Sequence, residues 1–203
     1  MPSALTDLLT RFGERADRVT HIESIPQRQA VTGDWPDWVH DDVTAVFAGT
    51  GITKPYKHQV EAVNSIASGT DTVVATGTSS GKSLTFLAPI LDSIARTRDS
   101  IRPATSIYLA PTKALSHDQL TAAKSLPLQG LRPAAFDGDA SREQKDWARR
   151  WANLLFTNPD MLHRSVLPAH SRYARWFKSL RFIVVDEAHR YRGVFGSHVA
   201  LVL

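Results

Sequence analysis

A lysine and a hydroxyl stand side by side, Lys82-Ser83, behind a run of small residues in "VVATGTSSGKS" (residues 73–83). About a hundred residues later two adjacent carboxylates, Asp186-Glu187, end the apolar run "RFIVVDEAH" (181–189). Small residues at Thr76, Gly77, Thr78, Ser79, Ser80 and Gly81 leave backbone N–H groups free to curl around phosphate oxygens. A helix starting at Lys82 would add the partial positive charge of its N-terminus. Lys82 would then reach the β and γ phosphates of a nucleoside triphosphate, and the Ser83 hydroxyl would ligate Mg²⁺. The first glycine stands at 77, one place later than the usual Gly-x4-Gly-Lys-Ser/Thr spacing requires, so the loop alone is a near match. Two carboxylates at a strand's end are costly without a compensating cation. Mg²⁺ on Asp186 would supply that compensation, leaving Glu187 to orient and deprotonate an attacking water. A flexible turn with an exposed lysine explains the first stretch alone, and an acidic helix start explains the second alone. Neither explains why both occur in one chain, and together they point to nucleotide hydrolysis.

The elements that must position these groups are legible from residue 72 onward. Apolar or β-branched runs at 72–76, 105–110, 132–137, 153–157 and 181–186 alternate with amphipathic segments such as "GKSLTFLAPILDSIAR", "KALSHDQLTAAKSL" and "SREQKDWARRWA". That alternation predicts βαβ units and a mostly parallel sheet with helices on both faces. Ligands of such sheets bind beyond the carboxyl ends of the strands. Both stretches fall there, as do residues 111–113 and 157–160. The first fifty residues read as an extension, helical over 3–16 with Ser3 as cap. A loop then buries its own tryptophans, and a short helix stops at glycines.

At 203 residues, with 42% hydrophobic and 22% charged residues, the chain suits one sizeable globular domain. It has no cysteine, which excludes disulfides and thiolate metal sites. No secretory core and no bilayer-length apolar run is present, so the expected location is the cytoplasm and no membrane partner is expected. From Ser141 onward eleven Arg and Lys face five Asp and Glu. That basic half suits a polyanion, although a solvated arginine-rich surface reads the same way. His163, His170 and His198 lack metal-ligand spacing, so structural zinc is not expected. Trp147, Trp151 and Trp176 are expected to pack helices against the sheet. Asp137-Gly138-Asp139 reads as a tight turn.

"DEAH" at Asp186–His189 resembles motif II of superfamily-2 helicases, and other stretches follow that family's order. "GITKPYKHQ" (Gly51–Gln59) is similar to its Q motif, "PTKALSHDQ" (Pro111–Gln119) to motif Ia and "TNPDML" (Thr157–Leu162) to motif Ib. Within the superfamily the chain looks most like the mitomycin-repair group of DNA helicases, in which threonine at the first loop position is a familiar variant. The resemblance implies a RecA-like ATP-binding domain over 51–203, following the 1–50 extension. It implies ATP and Mg²⁺ as ligands, with Gln59 on the adenine edge and Tyr56 near it. Lys82, Asp186, Glu187 and His189 would be the catalytic set, His189 coupling the ATP site to the nucleic-acid track. Pro111, Thr112, Lys113, Thr157, Asn158, Arg190 and Arg192 would contact nucleic acid, DNA in preference to RNA. It also implies 3′-to-5′ translocation and a second motor domain, whose motifs this stretch does not contain. A P-loop NTPase of another kind such as a kinase or a GTPase, an RNA helicase, and a non-catalytic nucleic-acid-binding relic remain as alternatives.

Overall fold

Period-two alternation in the central strands decides which residues face which layer. A computed structural model of the chain describes residue 23 and residues 30–77 and 80–203. The expected N-terminal helix, and Thr78 and Ser79 of the loop, lie outside them. Four strands form one parallel sheet in the order β2-β3-β1-β4. They are β1 (Thr105–Leu109), β2 (Pro133–Ala135), β3 (Leu154–Thr157) and β4 (Leu180–Val185). Successive side chains of a strand point to opposite faces. Accordingly Tyr108, Ala110, Leu154 and Phe156 enter one apolar layer, and Ile107, Leu109 and Leu155 enter the other. Strands buried on both sides are mostly apolar, and every residue of β1 and β3 is buried, Thr105, Ser106 and Thr157 being the polar ones.

The first layer is covered by α1 (Asp41–Gly49), α2 (Lys57–Ala67), α3 (Lys82–Thr97) and α4 (Lys113–Lys124). Val43 and Phe47 of α1 pack there with Leu91 and Ile94 of α3. A buried carboxylate ties the two helices together. Asp92 accepts hydrogen bonds from the His40 amide at 2.8 Å and from the Arg96 Nε at 2.7 Å. Trp35 stacks on Phe47 with ring centroids 5.3 Å apart, and Trp38 Nε1 donates to the Asn64 carboxamide, so this loop half-buries its aromatics against the first layer. The compact unit begins at Thr32. Val39, Val43, Val46 and Phe47 therefore contribute to the same core as the sheet.

The second layer takes its apolar groups from α5 (Arg142–Trp151) and the segment after β3. That segment runs through α6 (Pro159–Met161), a wide turn (Leu162–Val166), a 3-10 turn (His170–Tyr173) and α7 (Ala174–Phe177). Trp176 is buried and donates from Nε1 to the Ala152 carbonyl at 2.7 Å. Trp147 and Trp151 are not packed as expected. They lie on the outward side of α5, 45% and 57% exposed, because Ala148 and Ala152 take the inward positions. The chain continues past β4 into a 3-10 turn (Ala188–Arg190) and α8 (Gly193–Val202).

One expected strand is absent from the sheet. Residues 72–76 form no regular element and pair with no strand among the described residues. Strand pairing needs backbones about 4.8 Å apart. Here a groove of about 310 Å³, lined by Thr72 and Val74 on one side and by Phe182 and Val184 on the other, separates the segment from β4. The outer edge of β4 is consequently open, with Ile183 exposed.

The first layer hinges on α3, whose Leu91 is fully buried. Leu91→Ala is expected to cost about 3 kcal/mol and to lower the Tm by roughly 10 °C. A melting point within about 2 °C of wild type, read by circular dichroism, contradicts this account of the core.

Candidate functional site

The phosphate loop is held from its ends. Gly81 sits in the left-handed region at φ 71° and caps α3. A Cβ built there would stand 2.5 Å from the Gln59 Nε2, so conformation and space both demand glycine. Gln59, 3% exposed, uses its whole carboxamide on backbone. Its Oε1 accepts from the Tyr56 amide at 2.7 Å, and its Nε2 donates to the Gly81 carbonyl at 2.9 Å and to the Ser80 carbonyl at 3.4 Å. His58 Nε2 also lies 3.3 Å from the Ser80 carbonyl, and its ring stacks on Tyr56. The Gln59 carboxamide thus links α2 to the loop. Thr76 and Ser80 share a hydroxyl hydrogen bond of 2.6 Å across the loop. Lys82 Nζ donates to the Thr76 carbonyl at 3.2 Å, folded back over the turn it would open for phosphate. Gly77 is exposed and Ser83 is half-buried at the start of α3.

The acidic pair follows β4 directly. The Asp186 amide donates to the Leu109 carbonyl at 2.9 Å, which extends the β1–β4 pairing by one residue. Its carboxylate accepts from the Tyr108 hydroxyl and, at 2.8 Å, from the Glu187 amide. Burial first, and then the Asp186 hydrogen bond and charge, push the Tyr108 phenol far above its ordinary range. It therefore stays a donor that orients the carboxylate. Tyr191 is pushed up to about 12 by burial and then by the Asp186 charge, and its buried hydroxyl has no partner among the described residues. Glu187 adopts φ 49°, the one positive value at a non-glycine described residue. Holding a glutamate in that conformation costs on the order of 1–3 kcal/mol and turns its side chain out of the strand's line. His189 Nδ1 meets the Glu187 carboxylate at 3.2 Å. Lys82 and Asp186 line the same groove, so the structure brings the two key side chains together.

The expected nucleic-acid contacts divide. Thr112 caps α4 through the Leu115 amide, and Lys113 is exposed but pairs with Asp139 at 2.8 Å. Pro111 sits half-buried beside them, and Arg190 and Arg192 are exposed with no carboxylate partner among the described residues. Asn158 caps α6 through the Met161 amide. Thr157 must be corrected. It is 1% exposed and its hydroxyl donates to the Phe136 carbonyl at 2.6 Å, so its side chain serves the β2–β3 join and cannot reach a ligand. The 137–139 turn is formed as expected, Asp137 accepting from the Asp139 and Ala140 amides, both at 3.0 Å. His117 contributes a contact with no sequence signal, since its Nε2 lies 2.6 Å from Asp137 only because α4 and the 137–140 loop fold together. Burial raises the Asp137 carboxyl, but that hydrogen bond, the two amides and the His117 charge more than offset it and hold the group below its usual value. His163 and His198 meet edge to face with ring centroids 4.6 Å apart, and no group of three or more metal-ligating side chains occurs among the described residues.

A lysine at a helix N-terminus and an aspartate directly after a nearby parallel strand line one groove, an arrangement suited to a nucleotide phosphate and its metal. The family described as DEAD/DEAH box helicase matches residues 56–203, and the chain belongs to that family. It is 42% identical over 166 residues to the ATP-dependent helicase hrq1 of Schizosaccharomyces pombe, covering 79% of this chain and 15% of that protein. Against the ATP-dependent helicase YprA of Bacillus subtilis the identity is 35%, over 98% of this chain and 26% of that protein. The crystal structure of the helicase MrfA bound to DNA and AMPPNP superposes with a TM-score of 0.87 at 35% identity, covering 98% of this chain and 28% of that one. The chain therefore spans about a quarter or less of the length of these relatives.

Gln59→Ala severs the link between α2 and the loop. It is expected to weaken binding of a fluorescent ATP analogue about tenfold, the equivalent of one to two ordinary hydrogen bonds. Unchanged affinity would show that the loop needs no such support. Tyr191 adds an alkaline signature. A phenol whose folded value is raised contributes stability that is complete below about pH 10 and lost as the pH rises toward about 12. Urea midpoints should therefore fall over that window in the wild type and fall less in Tyr191→Phe.

Proposed function

We propose that this chain is the ATP-binding motor domain of an ATP-dependent DNA helicase that works in DNA repair and moves 3′ to 5′. The reading rests on Lys82 and Asp186 facing one groove at the carboxyl end of a parallel sheet, in a chain of the DEAD/DEAH box helicase family. Lys82 leaves the Thr76 carbonyl to meet the β and γ phosphates, and the loop amides through 76–81 donate hydrogen bonds to the remaining phosphate oxygens. A hydroxyl and a carboxylate, Ser83 and Asp186, form the hard-oxygen donor set that suits Mg²⁺. Bound there, the ion would draw negative charge from the transferring phosphoryl group. Glu187 orients the attacking water and takes its proton. His189, already against Glu187, relays the state of the nucleotide toward the face carrying Lys113, Arg190 and Arg192.

DNA is favoured over RNA because the similar MrfA was solved bound to DNA. Relatives some four times longer leave room for the second motor domain that such an enzyme needs to complete its ATP site. An arginine from that partner would supply on the order of 10³–10⁵ in rate, as in related NTPases. A soluble cytoplasmic setting agrees with the lack, among the described residues, of a helix long and apolar enough to cross a membrane.

Two substitutions divide binding from chemistry. Lys82→Ala is expected to weaken ATP binding at least tenfold, measured with a fluorescent analogue. Glu187→Gln should leave binding nearly unchanged while lowering DNA-stimulated hydrolysis by the longer protein about 10²–10⁴-fold. Retained ATP affinity in Lys82→Ala would favour the non-catalytic relic, and GTP displacing ATP on equal terms would favour a P-loop enzyme of another kind.

A further inference from the structure

The end of the sheet opposite the nucleotide groove carries a second concentration of charge. A cleft of about 560 Å³ opens where all four strands begin, beside Thr105, Arg132, Asn153 and Ser179. Seven arginines line it. Three carboxylates answer them: Asp42 and Asp99 pair with Arg98, and Asp146 pairs with Arg149 at 2.9 Å and reaches Arg172 at 4.0 Å. Arg102, Arg132, Arg150 and Arg175 have no carboxylate partner among the described residues. The carboxyl ends of α3 and α5 also reach this end of the sheet. Each contributes about half a negative charge, which leaves the cleft at about +3.

Two of the unpaired guanidiniums are fixed in place without losing charge. Arg132 Nε donates to the Trp151 carbonyl at 2.6 Å, and Arg175 Nη2 to the Ile101 carbonyl at 2.9 Å. Bonds to carbonyls orient a guanidinium but do not neutralise it. Its remaining N–H groups present the planar fork that matches phosphate oxygens. Trp151, 57% exposed, lies in the same cleft, whereas Trp147, also exposed on α5, lies outside it. An exposed indole among guanidiniums offers a flat face to a base while the charges hold the adjoining phosphates. An acidic protein segment would use the charge and leave the indole without a role.

We propose that this arginine cleft is a second site for single-stranded nucleic acid, separate from the face that carries Lys113, with Arg102, Arg132, Arg150 and Arg175 on phosphates and Trp151 against a base. The choice of ligand rests on the nucleic-acid reading above, and the location does not. The two Lys113-side and cleft-side contacts would let one strand touch both ends of the domain.

The test uses the 203-residue chain, a fluorescein-labelled oligothymidylate and anisotropy across a salt series. The triple substitution Arg102→Ala, Arg150→Ala, Arg175→Ala is expected to weaken binding at least tenfold. It should also reduce the slope of log affinity against log salt by about 2, at roughly 0.7 per phosphate contact for single strands. Trp151→Ala should weaken binding about tenfold with the slope unchanged. ATP-analogue affinity and the circular dichroism melt should stay at wild type, which excludes misfolding as the cause. If the triple variant keeps wild-type affinity and slope while Lys113→Ala loses affinity, the cleft proposal falls and the motor reading stands. If the wild-type chain does not bind the oligonucleotide, both fall. Polyglutamate that displaces the oligonucleotide at equal charge, with no effect of Trp151→Ala, would instead assign the cleft to an acidic protein segment and overturn the proposal.

Discussion

The Gln59 carboxamide is the contact on which the nucleotide site depends. In the described structure the segment leading into the phosphate loop has no strand beside it, so the sheet does not hold the loop from below. What holds it is a buried side chain from another helix. That side chain reaches the Gly81 and Ser80 carbonyls while accepting from the Tyr56 amide. The glycine at 81 follows from the same contact, since any Cβ would collide with the amide that supports the turn. Gln59 thus shapes the loop before α3, and α2 becomes part of the candidate site.

The other half of the site is organised from within the core. Asp186 is hydrogen-bonded to Leu109 through backbone and to Tyr108 through its carboxylate. Tyr108 in turn packs between Phe86 of α3 and Phe156 of β3. The acid that would face the metal is therefore oriented by a fully buried phenol which also fills the centre of the first apolar layer. Packing and electrostatics cannot be separated there. A change that shifts Tyr108 moves the carboxylate with it. The strained Glu187 is affordable only because the residues before it are so well fixed.

Both ends of the parallel sheet carry charge, and for different reasons. At the carboxyl ends, loops and helix N-termini gather backbone amides with Lys82, Lys113 and the acidic pair. At the amino ends, arginines collect around Trp151 although two helix carboxyl ends already lie there. The excess of positive charge over what those helix ends would balance makes the amino end more than a solubilising surface.

Most of the framework and the chemistry were legible in the residues. Four of the five expected strands appear within a few residues, because buried parallel strands are mostly apolar and their turns carry Gly, Pro, Asp or Asn. Lys82-Ser83 and Asp186-Glu187 stand out in sequence because a phosphate cradle and a metal-bearing acid each require particular side chains next to one another, and the structure places Lys82 and Asp186 on one groove. The strand at 72–76 misled, since its composition allows pairing but only a neighbouring backbone at the right distance creates it. Thr157 misled in the same way. Its hydroxyl looks available in sequence, and burial between β2 and β3 takes it. The roles of Gln59, Tyr108, His117 and the arginine cleft belong to the tertiary structure alone. Each depends on contacts between segments 20 to 80 residues apart. Sequence determined which groups can hold a nucleotide. The packing of α2, α3 and the sheet decided which of them face one another.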